Sequence, residues 1–456
     1  MQKVNVADLD RGKSPEQRFR ERRQRLVDAY ELRVPDRIPQ RFSMGWFAPE
    51  FAGISHQEFV ENPDVALAAV EKTAVHFQGD IVNSWFNGPD MSRILGDRMT
   101  KWPGFGLGPE GSFQFDEHEF MTAEDYPAFI ADPADWSVRT YLPRAYSSLE
   151  GLAQLPHLGM WSFGWYNMGS LRAFAKPGVA ASLRAAAEAV EATVKWGDAG
   201  KRMTDRLAEL GFPQDLPGML LEAPFDYMSD TLRGMKGIML DLRRRPDDLL
   251  AAEIQAARIQ LDFARQVHED SGAILASIPL HRGSDGFMSI QQFERFYWPQ
   301  LRDFMLALID MGITPRPYYE GVWDQRLEYL ADLPTGKTIG QFQSSDIFKV
   351  KEIVGDTMCI MGGFPVSMLK DSEPSAIREK THELCERVGR GGGFVMATTI
   401  GELEGCKPEL IETWTNATKE FGVYESPPLR RPAGRGDLPP AHDPRRWGRV
   451  AKEHRA

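Results

Sequence analysis

Between residues 279 and 289 the chain reads Pro-Leu-His-Arg-Gly-Ser-Asp-Gly-Phe-Met-Ser. A histidine (His281), an arginine (Arg282) and an aspartate (Asp285) fall within five positions, among glycines that let the backbone turn tightly. A histidine can shuttle a proton or ligate a metal. An arginine can clamp a carboxylate. A second stretch, Tyr318-Tyr319-Glu320-Gly321, sets a carboxylate beside a glycine; a carboxylate taken out of water needs a partner or a metal. The third, residues 222–234, spaces Asp226 and Asp230 four apart with Arg233 three further on, which on a helix puts all three on one face.

Each stretch also has a plainer reading. Asp285 and Ser289 can cap the helix that follows, Glu320 can pair with Arg326 in an exposed loop, and the Asp–Arg trio can be a network that fixes its own segment. Weaker signals surround these. Trp161, Trp165 and Asn167 can wall a pocket for a flat substrate, although aromatics more often fill cores. Asn83, Tyr319, Gln341 and Gln343 sit in or just after apolar runs and are candidate substrate contacts. The run Gly391-Gly392-Gly393 precedes an apolar run instead of opening a helix, so it reads as a turn and not a phosphate loop.

The elements that must position these residues follow an alternating pattern. Eight short apolar runs read as strands: Ile38–Met44, Asp80–Phe86, His157–Phe163, Ala273–Leu280, Thr314–Glu320, Thr338–Gln343, Thr357–Phe364 and Gly393–Thr398. Helical patterns lie between them, and strands alternating with helices imply parallel pairing. Eight such units predict an α/β chain folded as a (β/α)8 TIM barrel, although Gly218–Ala223 would make a ninth strand. Barrel active sites lie at the C-terminal ends of the strands. His281, Asp285 and Glu320 are therefore expected at one mouth. Ser14–Tyr30 reads as a helix capped by Ser14, within an N-terminal extension over residues 1–36. A helical insertion is expected at about 170–266 of a barrel spanning 37–425. The Pro- and Arg-rich stretch 426–456 reads as a flexible tail or a strap across a neighbouring subunit.

Composition bounds the function. The 456 residues carry a net charge of -11, which argues against nucleic acid as a main partner. Three cysteines with no CxxC pair exclude a disulfide framework. With no apolar run of membrane length, a cytoplasmic protein acting on a small molecule is expected.

Several motifs resemble one family. Arg33-Val34-Pro35-Asp36-Arg37-Ile38-Pro39 is similar to the lead-in to the first strand of the uroporphyrinogen-decarboxylase superfamily. So are Gly283–Ser289 followed by Gln292-Phe293 and Tyr297-Trp298-Pro299, then Gly355-Asp356, then Gly391-Gly392-Gly393-Phe394 with Lys407-Pro408-Glu409. The resemblance covers most of 31–425 and is denser in the second half. It implies a (β/α)8 barrel and a homodimer. Haem-pathway decarboxylases of the superfamily carry Arg-Gln-Ala-Gly-Arg after the first strand; here the chain reads Phe42-Ser43-Met44-Gly45-Trp46, so that reaction is not expected. The other branch holds zinc methyltransferases that exchange methyl groups with a corrinoid protein. Their His-x-Cys is replaced here by Tyr318-Tyr319-Glu320, and their later cysteine is missing near 398–401, with Cys406 displaced. The resemblance thus implies a thiolate-free zinc site on His281 and Glu320, with Asp285 as third ligand or as the group orienting His281. The expected function is a methyltransferase or demethylase moving a methyl group between a small, aromatic substrate and a corrinoid (cobalamin) protein. Arg282 would serve the substrate, and Asp226 would line the pocket. The alternatives are a cofactor-free decarboxylase of a small acid and a non-catalytic corrinoid- or tetrapyrrole-binding protein.

Overall fold

The computed structural model describes residues 9–83, 87–162 and 168–424, the side chains of Trp161, Ser162, Met168 and Ser170 excepted. Eight short parallel strands lie at its centre: β1 (Arg41–Ser43), β2 (Ile81–Asn83), β3 (Gly218–Leu220), β4 (Leu275–Leu280), β5 (Thr314–Tyr319), β6 (Ile339–Phe342), β7 (Cys359–Phe364) and β8 (Phe394–Thr398). Strands β3 to β8 form one six-stranded parallel sheet in chain order, and β1 pairs with β2. Two seams join these pieces. Gln40 bridges Met396 in parallel register, linking β1 to β8. The Val82 amide donates to the Pro213 carbonyl at 3.2 Å, linking β2 to the segment that leads into β3. The sheet thereby closes on itself, as a (β/α)8 barrel requires.

Seven of the eight expected runs contain barrel strands. The exception is His157–Phe163. Its described part is a 3₁₀ turn, Leu158–Ser162, because local acceptors capture the backbone. Asp135 accepts from the Leu158 amide at 2.7 Å, and the His157 ring accepts from the Gly159 amide at 3.1 Å. The third barrel strand is instead Gly218–Leu220, the segment whose periodicity had offered a ninth. In consequence the long excursion from the ring runs from β2 to β3, earlier than the 170–266 expected. It packs a small core of its own from Leu95, Leu149, Leu152, Leu155, Ala173, Val179 and Ala189. The helix Pro246–Ser271 is the ordinary crossover between β3 and β4. The tail 426–456 lies outside the described residues. Among those described, no helix is long and apolar enough to cross a membrane.

The N-terminal helix, Pro15–Tyr30, is capped by Ser14, whose hydroxyl accepts from the Gln17 amide. Its apolar face does not lie on the barrel's flank. Leu26, Ala29 and Tyr30 pack with Ile81, Leu275, Ile339, Cys359, Met361, Val395 and Ala397, which belong to five different strands. The helix therefore seals the barrel at the end opposite the mouth. Its charged face is also partly buried. Asp80, fully buried, accepts from Arg25 at 2.8 Å, from Arg37 at 2.6 Å and from the Gln40 amide at 3.0 Å. Burial would raise the Asp80 carboxyl, but Arg37 and Arg25 outweigh it and hold the group far below the usual carboxylate range.

Removing one partner of a buried ion pair leaves the other charged and unpaired. Asp80→Ala is expected to destabilise the fold by about 3–5 kcal/mol, seen as a lower urea midpoint. An unchanged midpoint would show that the seal does not depend on this carboxylate.

Candidate active site

The β4–β5 register sets Leu280 opposite Tyr319. The next residues, His281 and Glu320, therefore leave the sheet side by side at its C-terminal edge. His281 Nε2 lies 3.3 Å from Glu320 Oε1, and Nδ1 is hydrogen-bonded to Asp230 Oδ2. Asp230 belongs to a π-helical turn, Tyr227–Arg233; such wide turns often occur at functional sites. The same carboxylate receives Arg282 at 2.7 Å, and the Arg282 Nε also reaches Ser229 Oγ at 2.8 Å.

Beneath this cluster sits Asp226. It is 1% exposed and accepts from the His281 amide at 3.3 Å, the Arg282 amide at 2.9 Å and the Tyr297 hydroxyl at 2.6 Å. The turn after β4 is held close to these groups by Gly283: a Cβ there would run into the rings of Trp323 and Tyr297. Beside this turn, at the end of β5, Gly321 takes a left-handed φ of 72°, which few side chains tolerate, and its amide donates to Gln343 Oε1 at 2.7 Å.

The electrostatics give His281 a definite state. Burial favours the neutral ring, but Asp230 and Glu320 outweigh it and push the His281 pKa up to about 10. His281 is thus an imidazolium at neutral pH, with a carboxylate at each nitrogen. Burial also acts on Asp230, yet His281 and Arg282 keep that carboxyl below its ordinary range. Asp226 goes the other way: burial, and then the nearby Asp230 charge, push it up to about 7.

Several expected roles change with this geometry. Asp285 neither joins His281 nor orients it; its carboxylate pairs with the buried Arg326 and accepts from the Gln325 amide at 3.1 Å. Asp230 does the orienting instead. Arg282 is not free to clamp a substrate, because Asp230 and Ser229 already engage it. Tyr319 is a core residue, stacked on Phe342 at 4.6 Å, because side chains alternate along a strand. Tyr318 faces inward in its place, and its hydroxyl donates to the Thr399 carbonyl at 3.1 Å. Gln341 is paired with Tyr318 in register and shares its inner face. Gln343 holds Gly321. Asn83 also faces inward, where it meets Arg41. Asp226 acts from below the pocket and does not line it. Ser289 caps its helix as expected, with Gln292 completing a capping box. Trp165 and Asn167 lie outside the described residues, as does the side chain of Trp161.

Sequence reasoning weighed Asp230 evenly and missed the role of Tyr297 beneath it. The alternation Arg316, Tyr318, Glu320 along one strand was a usable signal for the inner face.

The zinc expectation meets a donor set that does not fit. His281 and Glu320 converge, but no group of three His, Cys, Asp or Glu side chains among the described residues could hold a metal ion. The nearest further carboxylate, Asp230, occupies the other ring nitrogen of His281.

His281 titrates higher folded than unfolded, so its contribution to stability is complete below about pH 6.5. It is lost as pH rises through about 10. The stability gap between the wild type and His281→Gln should be largest in mild acid and close between those values. A gap that is constant from pH 6 to pH 10.5 would show that the ring is not held as an imidazolium.

Comparison with known proteins adds the lineage. Residues 213–421 match the family model described as uroporphyrinogen decarboxylase (URO-D). A uroporphyrinogen decarboxylase of Methylococcus capsulatus is 30% identical over 117 residues, which is 25% of this chain and 33% of that protein. The chain thus spans about a third of the length of that curated relative. Among solved structures, a methyltransferase from Methanosarcina mazei superposes with a TM-score of 0.55 at 15% identity, over 88% of this chain and 98% of that one; at such identity the likeness speaks for the fold. Residues 213–421, which carry strands β3 to β8 together with His281, Arg282 and Glu320, are thus the part of the chain that resembles the uroporphyrinogen-decarboxylase family.

Proposed function

We propose that the protein is an enzyme that moves a methyl group from a small, methylated aromatic substrate to a corrinoid carried by a partner protein. The observation that supports this best is His281, an imidazolium held between Asp230 and Glu320 at the open end of the barrel. The partner's corrinoid would supply a cobalt(I) nucleophile to accept the methyl group. The residues of this chain do the rest. As the bond from the methyl carbon to the substrate heteroatom breaks, its electron pair stays on the heteroatom, and His281 Nε2 delivers a proton there. Asp230 holds the ring in position from Nδ1 and balances its charge. Glu320 marks where the heteroatom approaches. No step is routed through a metal.

A second reading is favoured by the decarboxylase names of the family model and the Methylococcus relative. In it the carboxylate leaves as carbon dioxide, and His281 protonates the carbon left behind.

The test is demethylation of a methoxylated aromatic acid with a cobalt(I) corrinoid. Turnover should be level through neutral pH and fall as pH rises through about 10, where His281 loses its proton. His281→Gln should lower it by about 10²–10⁴-fold, and chelators should not inhibit the wild type. Inhibition by chelator that zinc reverses would overturn the proton-donor role. Release of carbon dioxide without methyl transfer would favour the second reading.

A further inference from the structure

Below the mouth, the barrel interior holds a layer of charge that the reaction above does not use. The inner positions of β5 are Arg316 and Tyr318, continued by Glu320, since Pro315, Pro317 and Tyr319 are buried on the outer side. Arg316 is four residues below Glu320, roughly 13 Å along the strand. Beside it lies Arg41 of β1. The two guanidiniums share one carboxylate, Asp215, from the segment that leads into β3. Arg316 pairs with it directly, and Arg41 Nε lies 3.4 Å away. The other contacts are neutral. Arg316 donates to Ser277 Oγ at 2.7 Å, the Tyr30 hydroxyl donates to Asp215 at 2.9 Å, and Arg41 donates to the Asn83 side-chain oxygen at 2.6 Å once that amide is oriented to satisfy both its ends.

Two cations against one anion leave one positive charge uncompensated. A buried charge without a partner is costly. Burial, then the neighbouring Arg316, lowers the Arg41 pKa, as expected where positive charge is in excess. The layer is not fully sealed. The Arg41 and Arg316 side chains remain 11% and 12% exposed. Leu220 is 68% exposed, although its neighbour Met219 is buried and the alternation puts Leu220 on the inner face of β3. The lumen is therefore accessible at the level of the arginines, where Leu220 lies in register with Ser277 and Ser277 with Arg316, and Tyr318 follows on the same inner face.

We propose that Arg41 and Arg316 form an anion site that seats the carboxylate of a small substrate at the base of the lumen, acid end down. Its other end then points toward His281 and Glu320; only this last point rests on the reading under Proposed function. A carboxylate there supplies the missing negative charge and can bridge both guanidiniums, the strongest kind of hydrogen bond available to it. The ligand class is a small, flat monocarboxylic acid.

The test is a ligand-observed NMR titration of the full chain with benzoate and with benzamide, its neutral counterpart. Benzoate should bind and benzamide should bind at least about tenfold more weakly, a difference of about 1.4 kcal/mol. Asn83→Asp puts an internal carboxylate beside Arg41; it should raise the melting temperature and lose benzoate binding. Arg41→Gln removes the surplus charge, leaves Arg316 paired with Asp215, and should also lose binding. His281→Gln should bind benzoate like the wild type. Equal binding of benzoate and benzamide, no binding of benzoate, or wild-type affinity in Asn83→Asp would each overturn the site. A wild type that binds benzoate but transfers no methyl group would count against the proposed reaction alone.

Discussion

The candidate site depends on a single buried carboxylate. Asp226 accepts from two consecutive backbone amides, those of His281 and Arg282, and from the Tyr297 hydroxyl. Those three bonds fix where the chain turns as it leaves β4, and so they set the direction of both side chains. Without them the two amides would face a dry interior unsatisfied. The arrangement brings two acids close together, Asp226 below and Asp230 above, and their mutual repulsion is eased by His281 and Arg282. Charge and backbone geometry are therefore not separable here. The loop that carries the histidine is held by Asp226, four residues before the Asp230 that, with Glu320, keeps the histidine protonated.

Much of the fold was legible because the barrel strands are short apolar runs bounded by helices. The failure at His157–Phe163 has a clear cause: side-chain acceptors at Asp135 and His157 bend an apolar run into a turn, and no periodicity reports that. The capping of two helices by Ser14 and Ser289 was readable from local chemistry alone. The site was half legible. His281 and Glu320 stand out because each ends a strand. The partner of His281 does not, because Asp230 arrives from a segment 51 residues away in sequence. Arg282 was read as serving the substrate and Asp285 as a partner of His281 or a helix cap, yet each is engaged by a neighbour of opposite charge that only the tertiary fold supplies. Tyr319 and Tyr318 were exchanged for want of the strand's phase, which burial settles.

From base to mouth, the barrel axis carries three charged layers. Asp80 with Arg25 and Arg37 is closed off from water; Asp215 with Arg41 and Arg316 faces the lumen; His281 with Asp230 and Glu320 sits at the rim. Their exposure increases in that order, and so does the scope for a ligand to alter them. The first layer belongs to stability: Asp36 also pairs with Arg25, so its two guanidiniums meet two carboxylates. The other two keep hydrogen-bonding capacity or a proton in reserve, a property a binding or catalytic group must have and a structural pair must not.

The sealing helix has a consequence for how the chain folds. Leu26, Ala29 and Tyr30 are among the first described residues, while Val395 and Ala397 of the same cluster are among the last strand residues to be synthesised. The helix cannot complete its contacts until β8 has emerged. Contacts this distant in sequence slow folding, because the intervening chain must be ordered before they form. Until then an apolar helix face and the open base of a partial sheet are both without partners, the kind of surface on which nascent chains associate wrongly. Closure of the barrel base is thus a late event, and the nascent protein should depend on chaperones more than its composition alone indicates.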